Sequence, residues 1–165
     1  MRIKIISKAF ACIMLIAITC AYVNACGNKG YKNDVAVATL SLAADADIAM
    51  KSNLADASSD FMEFFLNVDP SLYSEYSVKT PIGSASIDEY GIFKANSPED
   101  AKKIAASLDS YLASRVATWD TRYSQEEKPK VDGACTKVFG NYVAYAILSD
   151  TERAEFFNNI EDTLS

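Results

Sequence analysis

No histidine occurs anywhere in the 165 residues. The commonest general base at neutral pH and the commonest metal ligand are therefore both missing. Cysteine is scarce too: four residues, two of which (Cys12 and Cys20) fall inside an N-terminal apolar run. Glycine is limited to six residues, and none of them builds a phosphate loop or a dinucleotide fingerprint. Basic residues are outnumbered 16 to 22, giving a net charge of −6. That deficit argues against nucleic acid, whose binding is dominated by cationic contacts to phosphate, and against anionic lipid head groups. No apolar run reaches the ~20 residues of a membrane-spanning helix. No catalytic residue, metal ligand or cofactor can be assigned from what is left.

What is present begins with an address. Arg2, Lys4 and Lys8 precede an apolar run from Ala9 to Val23 that contains no acid. A basic start, a short apolar core and a small residue before the cut describe a secretory signal. Val23-Asn24-Ala25-Cys26 closes the run and reads as a lipoprotein processing site, in which the Cys26 thiol takes a diacylglyceryl group. The expected plan is a signal peptide over 1–25, a flexible tether over 26–34 and a single domain over 35–165. The general signal peptidase also accepts Val23-x-Ala25, and its action would release a secreted protein instead. Loss of the leader removes three basic residues and no acid, leaving 13 against 22 and a net charge of −9. Attachment then rests on acyl chains, each buried methylene contributing ~0.8 kcal/mol, and not on a basic patch. With Cys26 acylated, Cys135 is alone and no intramolecular disulfide can form.

Half of the sequence is apolar or aromatic, enough for a core. Val35 to Met50 is rich in Ala and Leu, and part of it reads as a helix, broken at Ser52-Asn53. Ser58-Ser59-Asp60 can cap a short helix through Phe61, Met62, Phe64, Phe65 and Leu66, stopped by Val68-Asp69-Pro70. Glu75 to Thr80 alternates as a strand, and Ile87 to Ala95 returns as a second one, with a loop over 81–86 between them. Ser97-Pro98-Glu99-Asp100 supplies a cap, a first-turn proline and first-turn acids. Ala101, Ile104, Ala105, Leu108, Leu112, Val116 and Trp119 then recur on one helical face, in a run that ends near Tyr123. A charged connector follows over 124–131. Ala134 to Phe139 and Tyr142 to Leu148 form a second hairpin around Gly140-Asn141. Ser149-Asp150-Thr151-Glu152 is a capping box for a last helix that buries Phe156, Phe157, Ile160 and Leu164. The fold class expected is α+β: a four-stranded antiparallel sheet built from two β-β-α units in tandem, helices covering one face, and additional N-terminal helices on the other face or an edge.

Three segments carry a resemblance. Tyr76-Ser-Val-Lys-Thr-Pro81, Asp88-Glu-Tyr-Gly-Ile-Phe-Lys94 and Gly140-Asn-Tyr-Val143 resemble a family of small lipoproteins of Gram-positive anaerobes, the domain of unknown function numbered 4358. The resemblance spans roughly Asp60 to Leu164. It implies a surface location and a compact α+β domain. It brings no activity, ligand or catalytic residue.

The candidate chemistry is thin. Asp88 and Glu89 are neighbours on a strand, so their side chains point to opposite faces and cannot share a substrate or a metal. Asp45 and Asp47 lack the glycine and the later acid of a calcium loop. Asp56 and Asp60 read as a solvated face, and Glu126-Glu127 as part of a solvated loop. Cys135, without a histidine partner and flanked by Ala134, Val138 and Phe139, reads as a buried, inert thiol. The loop Thr80, Gly83, Ser84 and Ser86 offers hydroxyls and backbone amides without bulk, and is the one stretch read as a ligand or partner loop. Tyr73, Tyr76, Tyr90, Phe93, Tyr142 and Tyr145 fall on strands, where core packing accounts for most of them. The function expected is a cell-surface lipoprotein acting as a binding or interaction module. Its partners would be the membrane, through Cys26, and an envelope protein or small ligand. An envelope enzyme working with carboxylates or hydroxyls alone, and an accessory subunit of a membrane complex, are the alternatives.

Overall fold

The computed structural model describes residues 30–49, 51–83, 86–120 and 125–165. The leader, Cys26 and Ser84 lie outside them.

An antiparallel sheet organises the chain. Its strands are β1 (Leu54–Asp56), β2 (Tyr73–Pro81), β3 (Glu89–Ala95), β4 (Cys135–Phe139) and β5 (Tyr142–Ile147), in the spatial order β1-β2-β3-β5-β4. The sheet has five strands where the sequence predicts four. The added strand, β1, lies just after Ser52-Asn53 and pairs Leu54 with Pro81 and Asp56 with Lys79. Three residues are too few to display a period of two, so β1 leaves no pattern in the sequence.

Both hairpins form as expected. Gly140 turns the second with φ 61°, which costs glycine little. Ser97 Oγ accepts from Asp100 N at 3.1 Å to open α2 (Pro98–Ala117). Ser149 Oγ accepts from Glu152 N at 3.4 Å to open α4 (Asp150–Leu164). The first helix, α1, covers Val37–Ala44, part of the Ala- and Leu-rich stretch. At its C-terminal end the Asp45 carboxylate accepts from the Tyr90 hydroxyl at 3.1 Å. Phe61–Leu66 is π-helical and ends at Asn67, whose φ is 49° and whose N–H donates to Met62 O at 3.1 Å. Inside the connector, Lys128–Asp132 forms a short helix, α3.

The larger correction concerns layers. β3 and β5 are central, and every residue of β5 is buried. Such strands need cover on both faces. Tyr90, Ile92, Tyr142, Ala144 and Ala146 face α1 and α4. Phe93, Ala95, Val143, Tyr145 and Ile147 face α2 and the π-helix. The two helices that follow the hairpins therefore lie on opposite faces, not on one. A two-fold axis normal to the sheet would relate β2-β3 to β4-β5 and keep both helices on the same side. The two β-β-α units are thus of opposite hand, and the tandem pattern in the sequence is not a repeat in space.

The chain reaches this domain at one end of the sheet. Within the stretch read as a tether, Lys32 N donates to Leu164 O at 2.8 Å and the Tyr31 ring meets Phe139 edge-on at 5.7 Å. The described chain thus begins beside the C-terminus of α4.

Gly91 is the tightest point of the sheet. A Cβ there would lie 2.6 Å from Tyr145 Cε1 and 2.8 Å from Val78 Cγ2. The Tyr145 ring cannot retreat freely, because its hydroxyl donates to Glu89 at 2.7 Å. Gly91→Ala is expected to destabilise the fold by about 1–3 kcal/mol, as overpacking does. Urea unfolding followed by far-UV circular dichroism measures it.

Candidate functional site

Glu89 opens β3 and is 1% exposed, on the face covered by α2. A buried carboxylate must be paired or protonated. Here Tyr145 Oη donates to Oε1 at 2.7 Å, and Tyr111 Oη donates to Oε2 at 2.9 Å. Arg115 Nη1 reaches Oε2 at 3.3 Å and also donates to Tyr111 Oη at 2.8 Å. Tyr111 and Arg115 sit one turn apart on α2, so both reach the same carboxylate. Burial pushes the Glu89 carboxyl above the usual glutamate range, while Arg115 and the two hydroxyls pull it back in part. Burial also raises the Tyr111 and Tyr145 phenols, and the nearby Glu89 charge raises them further.

Asp88, the residue just before β3, points elsewhere. It is buried as well, and accepts from Lys130 Nζ at 2.7 Å. Lys130 also pairs with Glu127 at 3.0 Å. Burial lowers the Lys130 ammonium, but its bonds to Asp88 and Glu127 outweigh that and raise it. The two adjacent acids thus anchor two different elements, α2 and α3, to the start of β3.

Above Tyr111 and Arg115 lies a groove of about 630 Å³ between the π-helix and α2. Ser107, Ser110, Ser114 and Thr118 line the α2 side, and Phe64 and Phe65 line the other. Met62 and Leu66 turn into the core, which sets Phe64 and Phe65 outward at 70% and 62% exposure. Phe65 stacks on Phe61 at 5.5 Å, and Phe61 meets Tyr111 edge-on at 6.0 Å. π-Helical turns are found frequently at functional sites. Val116, expected on the buried face of α2, is exposed, and Trp119 lies beyond the end of that helix.

The loop singled out in the sequence lies at the same end of the sheet as Glu89. Thr80 pairs with Ala55 in the ladder. Gly83 has φ 84° and is exposed. Ser86 Oγ accepts from Asp88 N at 3.0 Å. The backbone thus engages Thr80 and Ser86. Cys135 is half-buried beside the α4 face, and burial pushes its thiol up, away from the reactive range. Asp45 and Asp47 accept from Tyr90 and Asn159, and Asp56 pairs with Lys79. Among the described residues no group of three metal-ligating side chains forms, and no helix is long and apolar enough to cross a membrane.

The Glu89 cluster and its groove carried no sequence motif. Tyr111 and Arg115 are separated from Glu89 by 22 and 26 residues. The one local signal was Phe64-Phe65, two large apolar residues side by side, of which a short helix cannot bury both along with Met62 and Leu66.

These features define an α+β domain with a sheet covered on both faces and one aromatic-walled groove over a buried carboxylate cluster. Residues 46–148 match the family described as "Domain of unknown function (DUF4358)", and the chain belongs to that family. The match contains all three segments that carry the resemblance, begins ahead of Asp60 and stops short of α4. No curated protein and no solved structure matches the chain.

Removing the Glu89 carboxylate strands three buried or half-buried donors. Glu89→Ala is expected to cost about 3–5 kcal/mol in denaturant unfolding, as breaking a buried pair from one side does. The pH dependence has a definite sign. Between the ordinary glutamate range and the raised value of Glu89, the folded chain holds a proton that the unfolded chain has released. Stability from this group therefore falls as pH rises through that window. Glu75 and Asp100, held low mainly by hydrogen bonds from Val37 N and Ser97 respectively, act in the opposite sense. Unfolding curves of wild type and Glu89→Gln at stepped pH isolate the Glu89 part: the wild type is expected to lose stability relative to the variant as pH rises.

Proposed function

We propose that this chain is a binding module, displayed at the outer face of the cytoplasmic membrane by a lipid on Cys26, and that the groove between the π-helix and α2 receives its ligand. The observation that carries the binding reading is the groove itself. Two exposed phenylalanines face a helix bearing four hydroxyls, over a floor held rigid by Glu89. Pockets of a few hundred Å³ with an apolar wall and a few placed polar groups are the usual form of small-ligand sites. Binding is favoured over catalysis because Glu89, the acid beneath Tyr111 and Arg115, has both oxygens occupied.

The leader and Cys26 support the location. Cys26 stands four residues before Gly30, a reach of at most about 14 Å. Glu89 and Arg115 lie at the other end of β3 from Lys94, about 17 Å along the strand, and Lys94 pairs with Tyr142 beside the α4 C-terminus. A lipid at Cys26 would therefore hold the Arg115 end of the groove away from the bilayer and toward the surroundings.

Intact mass of protein from membrane and medium fractions tests the display. The membrane fraction is expected to yield a chain that starts at Cys26 and carries acyl groups. Cys26→Ala is expected to move the protein out of that fraction. An unmodified wild-type chain in the medium would replace display by secretion.

A further inference from the structure

The groove's charge is one-sided. Among the described residues, Arg115 is the single charged residue in its lining, and no acid lines it, although the chain as a whole is acidic. Arg115 is 30% exposed, so it is neither buried in the Glu89 cluster nor free in solvent. Its contacts with Glu89 and Tyr111 both use Nη1. The N–H groups on Nε and Nη2 have no partner among the described residues. A guanidinium held on one nitrogen and open along another edge presents the planar fork that matches a carboxylate. Its own counter-charge, Glu89, is sequestered behind it, so an occupant of the groove would meet the cation first. The walls set the rest of the ligand. Phe64 and Phe65 present bare rings to water, a cost that an apolar body would relieve.

Resting on the reading of the groove as the binding site, we propose that its ligand is a small organic carboxylate with an apolar body. The carboxylate takes the open Nε–Nη2 edge of Arg115, and the apolar body lies against Phe64 and Phe65. Ser110 and Ser114 line the wall opposite the rings. Ser110 Oγ already donates to Ala106 O at 2.9 Å, which leaves its lone pairs to accept from a ligand donor. Glu89 tempers the charge of Arg115, so selection rests on the fork geometry together with apolar contact. Neither inorganic phosphate, which lacks the body, nor a neutral amide, which lacks the head, satisfies both.

The test uses 4-phenylbutanoate, 4-phenylbutanamide and inorganic phosphate as probes, titrated into the ¹⁵N-labelled protein and read as amide shift changes. The acid is expected to bind saturably and shift residues 64–67 and 107–118. The amide and phosphate are expected to bind at least tenfold more weakly. Arg115→Met is expected to lose the preference for acid over amide. Because Arg115 also contacts Glu89, Arg115→Lys serves as the second variant: it keeps the charge and loses the fork, and should keep less than a tenth of the acid affinity with its remaining spectrum native-like. Ser110→Trp, at an exposed position, should block the acid without touching the Glu89 cluster. Equal binding of acid and amide in the groove would overturn the carboxylate assignment and leave the groove a binding site. Saturable binding whose shifts map to the 81–86 loop would overturn the groove itself. Full acid binding by Arg115→Lys would overturn the role of the fork, and no binding of any probe would overturn the ligand class.

Discussion

β3 and β5 lie side by side at the centre of the sheet, and almost no residue in either strand reaches water. Every other element is placed by that fact. An antiparallel sheet buried on both faces has to be covered twice, and a chain of this length has few helices with which to do it. α1 and α4 close one face around Tyr90, Phe156, Phe157 and Ile160, while α2 and the π-helix close the other around Phe93, Leu108 and Tyr145. Because α2 and α4 each follow directly from a central strand, covering both faces forces the two β-β-α units into opposite hands. The edges that remain are modest: β1 has only three residues, and β4 places the exposed Lys137 outward. Short or charged edges discourage pairing with other chains.

The groove follows from the same layering. A strand buried on both sides carries its first residue between the layers, and in β3 that residue is Glu89. The carboxylate cannot reach water, so the helix layer comes to it. Two phenols and a guanidinium satisfy it from β5 and α2. This arrangement costs desolvation, and buried ion pairs are weak sources of stability. What it supplies is position. Arg115 and Tyr111 are held by hydrogen bonds to Glu89 and to each other, and the Phe61 ring meets Tyr111 from the side. The π-helical turn completes the wall by turning Met62 and Leu66 inward and leaving Phe64 and Phe65 outward.

Much of the local structure could be read before folding. The Ser97 and Ser149 caps, the Gly140 turn, the strands of both hairpins, the α2 stripe as far as Leu112 and the apolar stripe of α4 stand where the sequence puts them. The separation of Asp88 from Glu89 was readable too, since strand neighbours face opposite ways. Other features depend on distant partners. Asp45, at the end of α1, accepts from Tyr90, a partner 45 residues away. Val116 fits the apolar period of α2, yet it is exposed. β1 has no pattern of its own and exists because the end of β2 offers it a free edge. Phe64 and Phe65 look like core, and only the packing of Met62 and Leu66 shows that the core is already full at that point.

Taken alone, the sequence determined the punctuation: helix starts, turns, and the strands of the two hairpins. These depend on neighbours within a few residues, where sterics, capping bonds and hydrophobic period act. It also determined the family, through segments that keep their order and spacing. Tertiary structure alone decided which face each helix covers, that a fifth strand pairs, and that Glu89, Tyr111, Tyr145 and Arg115 form one cluster under a groove. The cluster depends on contacts between residues 22 to 56 positions apart, and a burial or charge balance struck at that distance leaves no periodic trace in the chain.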